Sequence, residues 1–152
     1  MSISSSKLII LDRDGVINED RDDYVKSSDE WVPLPGSLEA IALLNQAGYQ
    51  IAIATNQSGL ARGYFNINDL HAMHSKMDKL LKPLGGHIDS IFFCPHTDAN
   101  ACDCRKPLPG MMKEIALRYK KNQNATPLLG VPIVGDSLRD LQAGVALGAS
   151  PP

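Results

Sequence analysis

The chain has 152 residues, the usual length of one compact domain with its own hydrophobic core. Hydrophobic residues make up 43% of the sequence, and no apolar run reaches the roughly 20 residues that span a bilayer, which argues against insertion into a membrane. The formal net charge of −2 offers no broad electrostatic attraction for nucleic acid.

The first predicted element is a strand at residues 8–11, whose sequence LIIL is an unbroken apolar run. Such a run is typical of a strand that is buried on both faces of a parallel sheet. Asp12 and Asp14 follow at once, and residues two apart in an extended chain point the same way. Ligands of open α/β sheets bind beyond the carboxyl ends of the strands, so this pair indicates a reaction site. The alternative is an acidic turn that merely ends the strand.

The next segment, residues 19–35, is polar and acidic and has neither a helical nor a strand period, so we expect a loop or a small flap over the strand ends. A helix is predicted to begin near Pro35 and to end at Gly48. The second predicted strand, residues 49–54, again ends in polar residues. The pattern of an apolar strand followed by polar residues therefore occurs a second time.

Strand and helix alternate twice more along the chain. The further predicted elements are a helix capped by Asn66 or Asn68 and running to about Leu81, a strand at 88–93, a helix beginning at Pro109, a strand at 131–134 and a helix from about Leu138 to Leu147. This alternation predicts an α/β fold with a doubly wound, three-layer, Rossmann-like parallel sheet. We expect residues 1–152 to form a single domain, with a final strand after residue 152.

Polar clusters follow all four predicted strands, and in one doubly wound sheet they would meet at one edge. The clusters are Asp12 with Asp14, Thr55 with Asn56, Arg105 with Lys106, and Asp136 with Asp140. Phosphoryl transfer through an aspartyl intermediate requires such a set. It needs a carboxylate nucleophile, an acid or base, carboxylates for Mg²⁺, and donors for the phosphate oxygens.

The loop after the third predicted strand carries Cys94, His96, Cys102 and Cys104. Three thiols and one imidazole in such a short segment suit tetrahedral Zn²⁺ in a closed structural site. An odd number of cysteines in a cytosolic protein favours a metal site over a disulfide scaffold. The alternative is three buried free cysteines and a surface histidine.

Four ordered motifs resemble those of the haloacid-dehalogenase-like phosphatases: DRDGV at residues 12–16, TNQSG at 55–59, RKPLPGM at 105–111 and GDSLRD at 135–140. The longer stretches LDRDGVIN, TNQSGLARG, and CPH with CDCRKPLPGM are similar to the family of heptose-bisphosphate phosphatases and histidinol-phosphatases. The similarity covers about Lys7 to Gly148. It implies a haloacid-dehalogenase-like fold with a minimal cap or none, and zinc in the cysteine loop.

The resemblance assigns roles to individual residues. Asp12 would be the nucleophile and a Mg²⁺ ligand, and Asp14 the general acid and base, with its main-chain carbonyl on the same metal. Asp136 would complete the protein's share of the Mg²⁺ shell. Thr55 and Lys106 would stabilise the charge on the transferred phosphoryl group.

Further residues are predicted to bind the substrate. They are Arg105, the residues Asn56, Gln57 and Ser58, and the flap acids Asp20 and Asp23, which could take sugar hydroxyls. Two alternatives stay open at this point. Lys106 could be an ordinary solvated lysine, and Asp140 either orients Lys106 or is an acid on a helix surface.

The activity implied by the resemblance is that of a Mg²⁺-dependent phosphomonoesterase. It would remove the C7 phosphate of D-glycero-D-manno-heptose 1,7-bisphosphate, a step in heptose precursor synthesis for lipopolysaccharide. Alternatives are histidinol phosphate, the 3′-phosphate end of a nucleic acid, and a zinc-stabilised binding module without turnover. Because the first residues lack the apolar segment of a secretory signal, we expect a cytoplasmic protein. We also expect a monomer with no nucleic-acid or membrane partner.

Overall fold

The computed structural model describes residues 7–121 and 124–150, in which a four-stranded parallel sheet lies between two layers of helices. The strands are β1 (Lys7–Leu11), β2 (Tyr49–Asn56), β3 (Ser90–Cys94) and β4 (Ile133–Val134), and the helices are α1 (Ser37–Gln46), α2 (Ile67–Leu81), α3 (Gly110–Arg118) and α4 (Leu138–Val145). The predicted alternation of strands and helices is confirmed. Both of the last two strands are shorter than predicted, and β4 has only 2 residues.

Each central strand buries side chains on both of its faces. Leu8 and Ile10 of β1 belong to a core cluster shared with α3 and α4, whereas Ile9 and Leu11 belong to a second cluster shared with α1 and α2. In β2 the alternation continues, with alanines toward α3 and isoleucines toward α2. This burial on two sides explains why β1 reads as a continuous apolar run and confirms the three-layer arrangement.

The order of the strands across the sheet is β3-β2-β1-β4. The chain therefore moves outward from β1 to β3 on one side and then returns to place β4 on the other side of β1. The strand order reverses between β1 and β4, where Leu11 pairs with Val134. Crevices at such reversal points are where open α/β sheets bind ligands. Strands β1 and β4 border this crevice; Asp12 directly follows β1, and Asp136 lies two residues beyond the end of β4.

Side-chain caps fix the starts of two helices. Asn66, and not Asn68, caps α2, in a capping box with Asp69. Ser137 caps α4 and Asp140 completes that box from the first turn. The longest helix, α2, has 15 residues, and no helix in the described ranges is long and apolar enough to cross a membrane.

The end of the described chain lies beside β4. Ser150 forms a parallel bridge with Pro132, and its backbone N–H donates to the Val131 carbonyl at 2.8 Å. This pairing occupies the side of β4 opposite β1. The single-domain organisation of residues 1–152 and the strand expected after residue 152 stay predictions.

The connection between β1 and α1 forms the flap that the sequence indicated. Its Trp31 is fully buried against the α1 and α2 cluster. The ammonium of Lys76 in α2 donates to the carbonyls of Ser28 and Trp31, both at 2.7 Å. A lysine of helix α2 thus anchors the flap, which contributes several of the residues that line the cleft at the strand ends.

We predict that Lys76→Met lowers the free energy of unfolding by about 1 to 3 kcal/mol, because two part-buried carbonyls lose a charged donor. Urea unfolding followed by the fluorescence of the single tryptophan measures the change at the flap itself. Lys79→Met, at an exposed position of the same helix, is the matched control. Equal stabilities of the two variants would contradict the anchoring role.

Candidate active site

A cleft of about 430 Å³ opens beyond the carboxyl ends of the strands, at the reversal point between β1 and β4. It is lined by ten of the residues predicted from the sequence: Asp12, Asp14, Asp20, Thr55, Asn56, Gln57, Ser58, Arg105, Lys106 and Asp136. Five further residues that carry charge or an aromatic ring line it, namely Arg21, Asp22, Tyr24, Arg139 and Asp140. The predicted convergence of four strand ends on one edge is thus present in the structure.

Lys106 occupies the floor of the cleft and is 3% exposed. Its ammonium donates to Asp12 Oδ1 at 3.1 Å and to the Ala54 carbonyl at 2.8 Å, and it contacts Asp140 Oδ1. Asp140 is itself buried, so it faces Lys106 and does not lie on a helix surface. A buried ammonium between two carboxylates is held in one position, and Lys106 is not a solvated lysine.

Asp12 combines burial with a fixed orientation. Its Oδ1 accepts from Lys106 and from the backbone N–H of Arg13 at 2.8 Å, while no described residue donates to Oδ2. The pKa of Asp12 is raised to about 7, because burial and, to a smaller extent, the nearby charge of Asp140 outweigh the lowering effect of Lys106. The carboxyl group therefore has one oxygen held by the protein and one available to a ligand.

Three carboxylates approach one another at this point. Oxygen atoms of Asp12, Asp136 and Asp140 lie within 4.8 Å of one another, a donor set that suits a hard divalent cation. Asp140 is already engaged with Lys106 and with the cap of α4. Asp12 and Asp136 are therefore the side chains best able to hold Mg²⁺.

Gly15 makes the approach of Asp136 possible. Its φ of 86° lies in the left-handed region, and a Cβ at this position would collide with the Asp136 carboxylate. Only glycine lets the loop after β1 pass this close to the loop after β4. The glycine of the DRDG motif is thus required by the close approach of Asp136 as well as by the turn.

The polar residues after β2 act mainly on other residues of the site. Asn56 Oδ1 accepts from the Lys106 backbone N–H at 3.0 Å, and Asn56 Nδ2 donates to the Lys106 carbonyl at 3.2 Å. Gln57 Nε2 donates to Asp14 Oδ2 at 3.1 Å and to Thr55 Oγ1 at 3.0 Å. The carboxamides of both residues hold catalytic candidates in place, and their expected contact with substrate stays a prediction.

The flap acids separate into two groups. Asp20 lines the cleft, and partial burial raises its pKa. Asp23 does not line the cleft, because it pairs with Arg21 and Lys26, each at 3.1 Å, and its side chain is 63% exposed. These two cations lower the pKa of Asp23 to about 2. Asp23 therefore stabilises the flap internally, and its expected contact with sugar hydroxyls is not supported by its position.

The four predicted zinc ligands converge after β3. Cys94 Sγ lies 3.6 Å from His96 Nδ1 and 3.9 Å from Cys102 Sγ, and Cys104 Sγ lies 3.5 Å from the same His96 nitrogen. Tetrahedral Zn²⁺ with Zn–S bonds of about 2.3 Å would separate thiolate ligands by about 3.8 Å. Cys102 already lies close to this distance from Cys94, whereas the sulfurs of Cys94 and Cys104, 2.7 Å apart, would have to move apart to hold the metal. Donation from the Arg105 backbone is the main cause that lowers the pKa of Cys102 to about 7, whereas burial is the main cause that raises the pKa of Cys94 and of Cys104. The residues fit a closed Zn²⁺ site.

The zinc loop, residues 94–104 with the four candidate zinc ligands, leads directly into the segment that carries Arg105 and Lys106. Arg105 follows Cys104, and its Nη1 donates to the His96 carbonyl at 3.2 Å while the residue lines the cleft. A metal at the four ligands would thus fix the segment that carries Arg105 and Lys106. The contribution of zinc to activity would be indirect, through the position of these two cations.

Sequence analysis missed Arg13 and His74. Arg13 is fully buried beneath Asp14 and reaches His74 of α2 with Nη1 at 3.2 Å. One signal could have identified Arg13, because a charged residue directly after a strand buried on both faces needs a partner. No comparable signal exists for His74, since its position on α2 is compatible with a solvated face.

Comparisons with known proteins identify relatives over nearly the whole chain. Residues 7–139 match the family described as polynucleotide kinase 3 phosphatase. The chain is 58% identical over 145 residues to the D-glycero-beta-D-manno-heptose-1,7-bisphosphate 7-phosphatase of Neisseria meningitidis serogroup A, covering 95% of this chain and 75% of that protein. It is 50% identical over 147 residues to the protein of that name from Pseudomonas aeruginosa, covering 97% of this chain and 80% of that protein.

A solved structure shows the same relationship in three dimensions. The crystal structure of D,D-heptose 1,7-bisphosphate phosphatase from B. bronchiseptica, complexed with magnesium and phosphate, superposes with a TM-score of 0.90 at 58% identity. The match covers 95% of this chain and 78% of that one. The predicted fold and the family resemblance are confirmed.

We predict that Mg²⁺ binding weakens with falling pH, because below a pKa of about 7 the proton on Asp12 competes with the metal. The apparent Kd should rise roughly tenfold per pH unit below that value and level off above it. Titration calorimetry of metal-free protein at several pH values measures this change. Asp20→Asn is the control: the pKa of Asp20 is also raised, but this variant should keep the pH dependence of the Mg²⁺ Kd. Equal Kd values at pH 6 and pH 8 would exclude Asp12 as the competing group.

We predict that Cys102→Ser lowers zinc content and reduces activity, although no zinc ligand is expected to touch substrate, because the loop carrying Arg105 and Lys106 loosens. Elemental analysis, thermal unfolding and turnover measure the three effects. Asp103→Asn, an exposed change in the same loop, should leave them unaltered. Wild-type protein with less than about a tenth of an equivalent of zinc would refute the closed site.

Proposed function

The chain belongs to the D-glycero-beta-D-manno-heptose-1,7-bisphosphate 7-phosphatase family, and we propose that it hydrolyses the C7 phosphate ester of this sugar bisphosphate with Asp12 as nucleophile. It is a phosphomonoester hydrolase of the haloacid-dehalogenase-like kind and uses magnesium. The assignment of Asp12 as the nucleophile rests on the different surroundings of its two carboxylate oxygens. Oδ1 is held by Lys106 and the Arg13 amide, while Oδ2 has no donor among the described residues.

In the first step Asp12 Oδ2 attacks the phosphorus atom, and the bond between phosphorus and the sugar oxygen breaks. Bound Mg²⁺, held by Asp12, Asp136 and the main-chain carbonyl of Asp14, would supply neutralisation of the phosphate charge. Lys106 stabilises the charge on the phosphoryl oxygens as a fixed cation, and the Thr55 hydroxyl donates to one of them. Asp14 gives its proton to the departing sugar oxygen.

The second step releases phosphate from the protein. The Asp14 carboxylate takes a proton from a water molecule as that water attacks the phosphorus of the aspartyl phosphate, which restores the Asp12 carboxylate. Gln57 fixes Asp14 Oδ2 during both steps, since it donates to this oxygen and to Thr55. One carboxylate therefore forms the covalent bond while the other moves the proton.

The cleft suits a small polar ester better than a long polymer. Its walls carry acids from the flap and guanidinium groups from the flap, the zinc loop and α4, and no continuous basic groove adjoins it among the lining residues. Arg105 can hold hydroxyl or phosphate oxygens away from the reacting centre, and Asp20 can take sugar hydroxyls. Two other esters compete with the heptose substrate. One is histidinol phosphate, and the other is a polynucleotide 3′-phosphate, which the description of the matched family suggests.

A small phosphorylated sugar is the proposed partner of the cleft. The monomeric state, the cytoplasmic location and the lack of nucleic-acid and membrane partners stay predictions. A zinc-stabilised binding module without turnover would need none of the arrangement around Asp12, whose oxygens are divided between the protein and the cleft.

We predict that Asp12→Asn abolishes turnover without unfolding the protein, because an amide is a poor nucleophile and a poor Mg²⁺ ligand of nearly the same shape. Mg²⁺-dependent phosphate release from heptose 1,7-bisphosphate, histidinol phosphate and a 3′-phosphorylated oligonucleotide tests both the nucleophile and the substrate. Asp29→Asn, at an exposed flap position, is the matched control. Activity of Asp12→Asn within a few fold of wild type removes this residue from the mechanism. A higher kcat/KM for histidinol phosphate overturns the heptose substrate and leaves the catalytic roles unchanged.

We predict that Arg105→Ala lowers kcat/KM for heptose 1,7-bisphosphate by about 10 to 100-fold, the loss of one charge-assisted contact worth roughly 1.5 to 3 kcal/mol. Binding energy at the remote end of a substrate can be used in the transition state, so a generic aryl phosphate that lacks this end should lose much less. Arg118→Ala, at the exposed end of α3, is the control. Equal losses on both substrates would show that Arg105 does not recognise the sugar.

A further inference from the structure

Arg13 is the middle residue of the DRD sequence, and neither the motif roles nor the mechanism above uses its side chain. It leaves the end of β1, is completely buried, and extends beneath the cleft to α2. A guanidinium group has no neutral form at ordinary pH, so its burial requires an anion and further acceptors. The contacts of Arg13 therefore indicate what the group stabilises.

The anion is Asp14. Arg13 Nε donates to Asp14 Oδ1 at 2.8 Å, and Nη2 lies 2.7 Å from the same oxygen. Asn18, also fully buried, donates its Nδ2 to this oxygen at 2.9 Å. Oδ2 of Asp14 receives one donor, Gln57 Nε2 at 3.1 Å. The two oxygens of Asp14 are thus unequal, since Oδ1 has two hydrogen-bond donors and the charged Nη2 beside it, whereas one donor approaches Oδ2.

The opposite end of Arg13 is held by neutral groups of α2. Nη1 lies 3.4 Å from the Met73 sulfur and donates to His74 Nε2 at 3.2 Å. Burial and the charge of Arg13 lower the pKa of His74 to about 4, so its Nε2 is an acceptor at neutral pH. Among the described residues Asp14 is consequently the one carboxylate that pairs with Arg13.

We propose that Arg13 is a positioning residue, which locks Asp14 Oδ1 against the protein and thereby presents Oδ2 to the cleft as the oxygen that carries and returns the proton. In the first step the Oδ2–H proton passes to the sugar oxygen as the bond between phosphorus and oxygen breaks, and the carboxylate left on Asp14 stays paired with Arg13. In the second step Oδ2 accepts one proton from the attacking water. This inference rests on the proposed role of Asp14 as acid and base.

The orientation of Asp14 would then depend on α2, more than 50 residues away in the sequence. Without the guanidinium, rotation of the carboxylate would exchange the two oxygens and move the proton away from the ester. A departing group of low basicity needs little protonation, whereas an alkoxide needs it fully. Loss of this positioning should therefore lower kcat/KM more for esters with poor leaving groups than for esters with good ones. A general loosening of the fold would lower kcat/KM for all esters alike.

The test compares kcat/KM for 4-nitrophenyl phosphate, phenyl phosphate and heptose 1,7-bisphosphate, which have progressively poorer leaving groups. Arg13→Gln should lose roughly 10 to 100-fold on the two poorer leaving groups and only a few fold on the nitrophenyl ester, and Arg13→Lys should lie between this variant and wild type. His71→Gln, on the exposed side of α2, is the control. Equal losses on all three esters, or no loss, overturn the positioning role.

Asn18→Ser tests the same idea if Arg13→Gln does not fold, because it removes one donor to Oδ1 and leaves the buried ion pair intact. It should show a several-fold loss with the same dependence on the leaving group, and a uniform loss would overturn the proposal.

Asp14→Asn separates this inference from the proposed function. If Asp14→Asn loses equally on good and poor leaving groups, the acid role of Asp14 itself fails. If Asp14→Asn is selective, adding Arg13→Gln to it should cause no further selective loss, because the proton has already been removed from the site. If Arg13→Gln still causes its full selective loss on poor leaving groups in the Asp14→Asn background, the role of Arg13 alone is overturned.

Discussion

The burial of Lys106 is the constraint on which the rest of the site depends. An ammonium that is 3% exposed must be surrounded by acceptors, and here they come from three separate segments of the chain: Asp12 after β1, the Ala54 carbonyl of β2 and Asp140 of α4. The Asn56 carboxamide accepts from the backbone N–H of Lys106 and donates to its carbonyl. The charge of one side chain thus connects the segments on both sides of the crevice, and the Asp12 carboxylate is oriented as part of the same network.

The two acids of the DRD sequence depend on different cations. Asp12 is held by Lys106 from the loop after β3, whereas Asp14 is held by Arg13, which is anchored on α2. Because successive side chains of the chain leaving β1 point to opposite faces, Arg13 enters the α2 layer while the acids remain at the edge of the sheet. Two carboxylates that are close in sequence can therefore take different roles, since their surroundings are built by different layers of the fold.

The cover of the cleft is built by small elements and not by an inserted domain. The flap is fixed from below by Lys76, which donates to two of its carbonyls, and Arg105 connects the cleft to the loop of the four candidate zinc ligands by donating to the His96 carbonyl. Arg21, Lys26 and Asp23 use their charges within the flap. Substrate recognition consequently falls to the few groups that these contacts leave available at the mouth.

The sequence by itself predicted the order of strands and helices, the edge of the sheet at which polar residues gather, and the acids, the lysine and the cysteine-loop residues that the structure brings together. These follow from local rules, because apolar periodicity, strand ends and ligand spacing are properties of neighbouring residues. Only the tertiary structure decided that Asn56 and Gln57 hold catalytic side chains, that Asp23 pairs inside the flap, and that Arg13 reaches His74. Each depends on which side chains from distant segments compete for the same polar group, and burial of charge decides that competition.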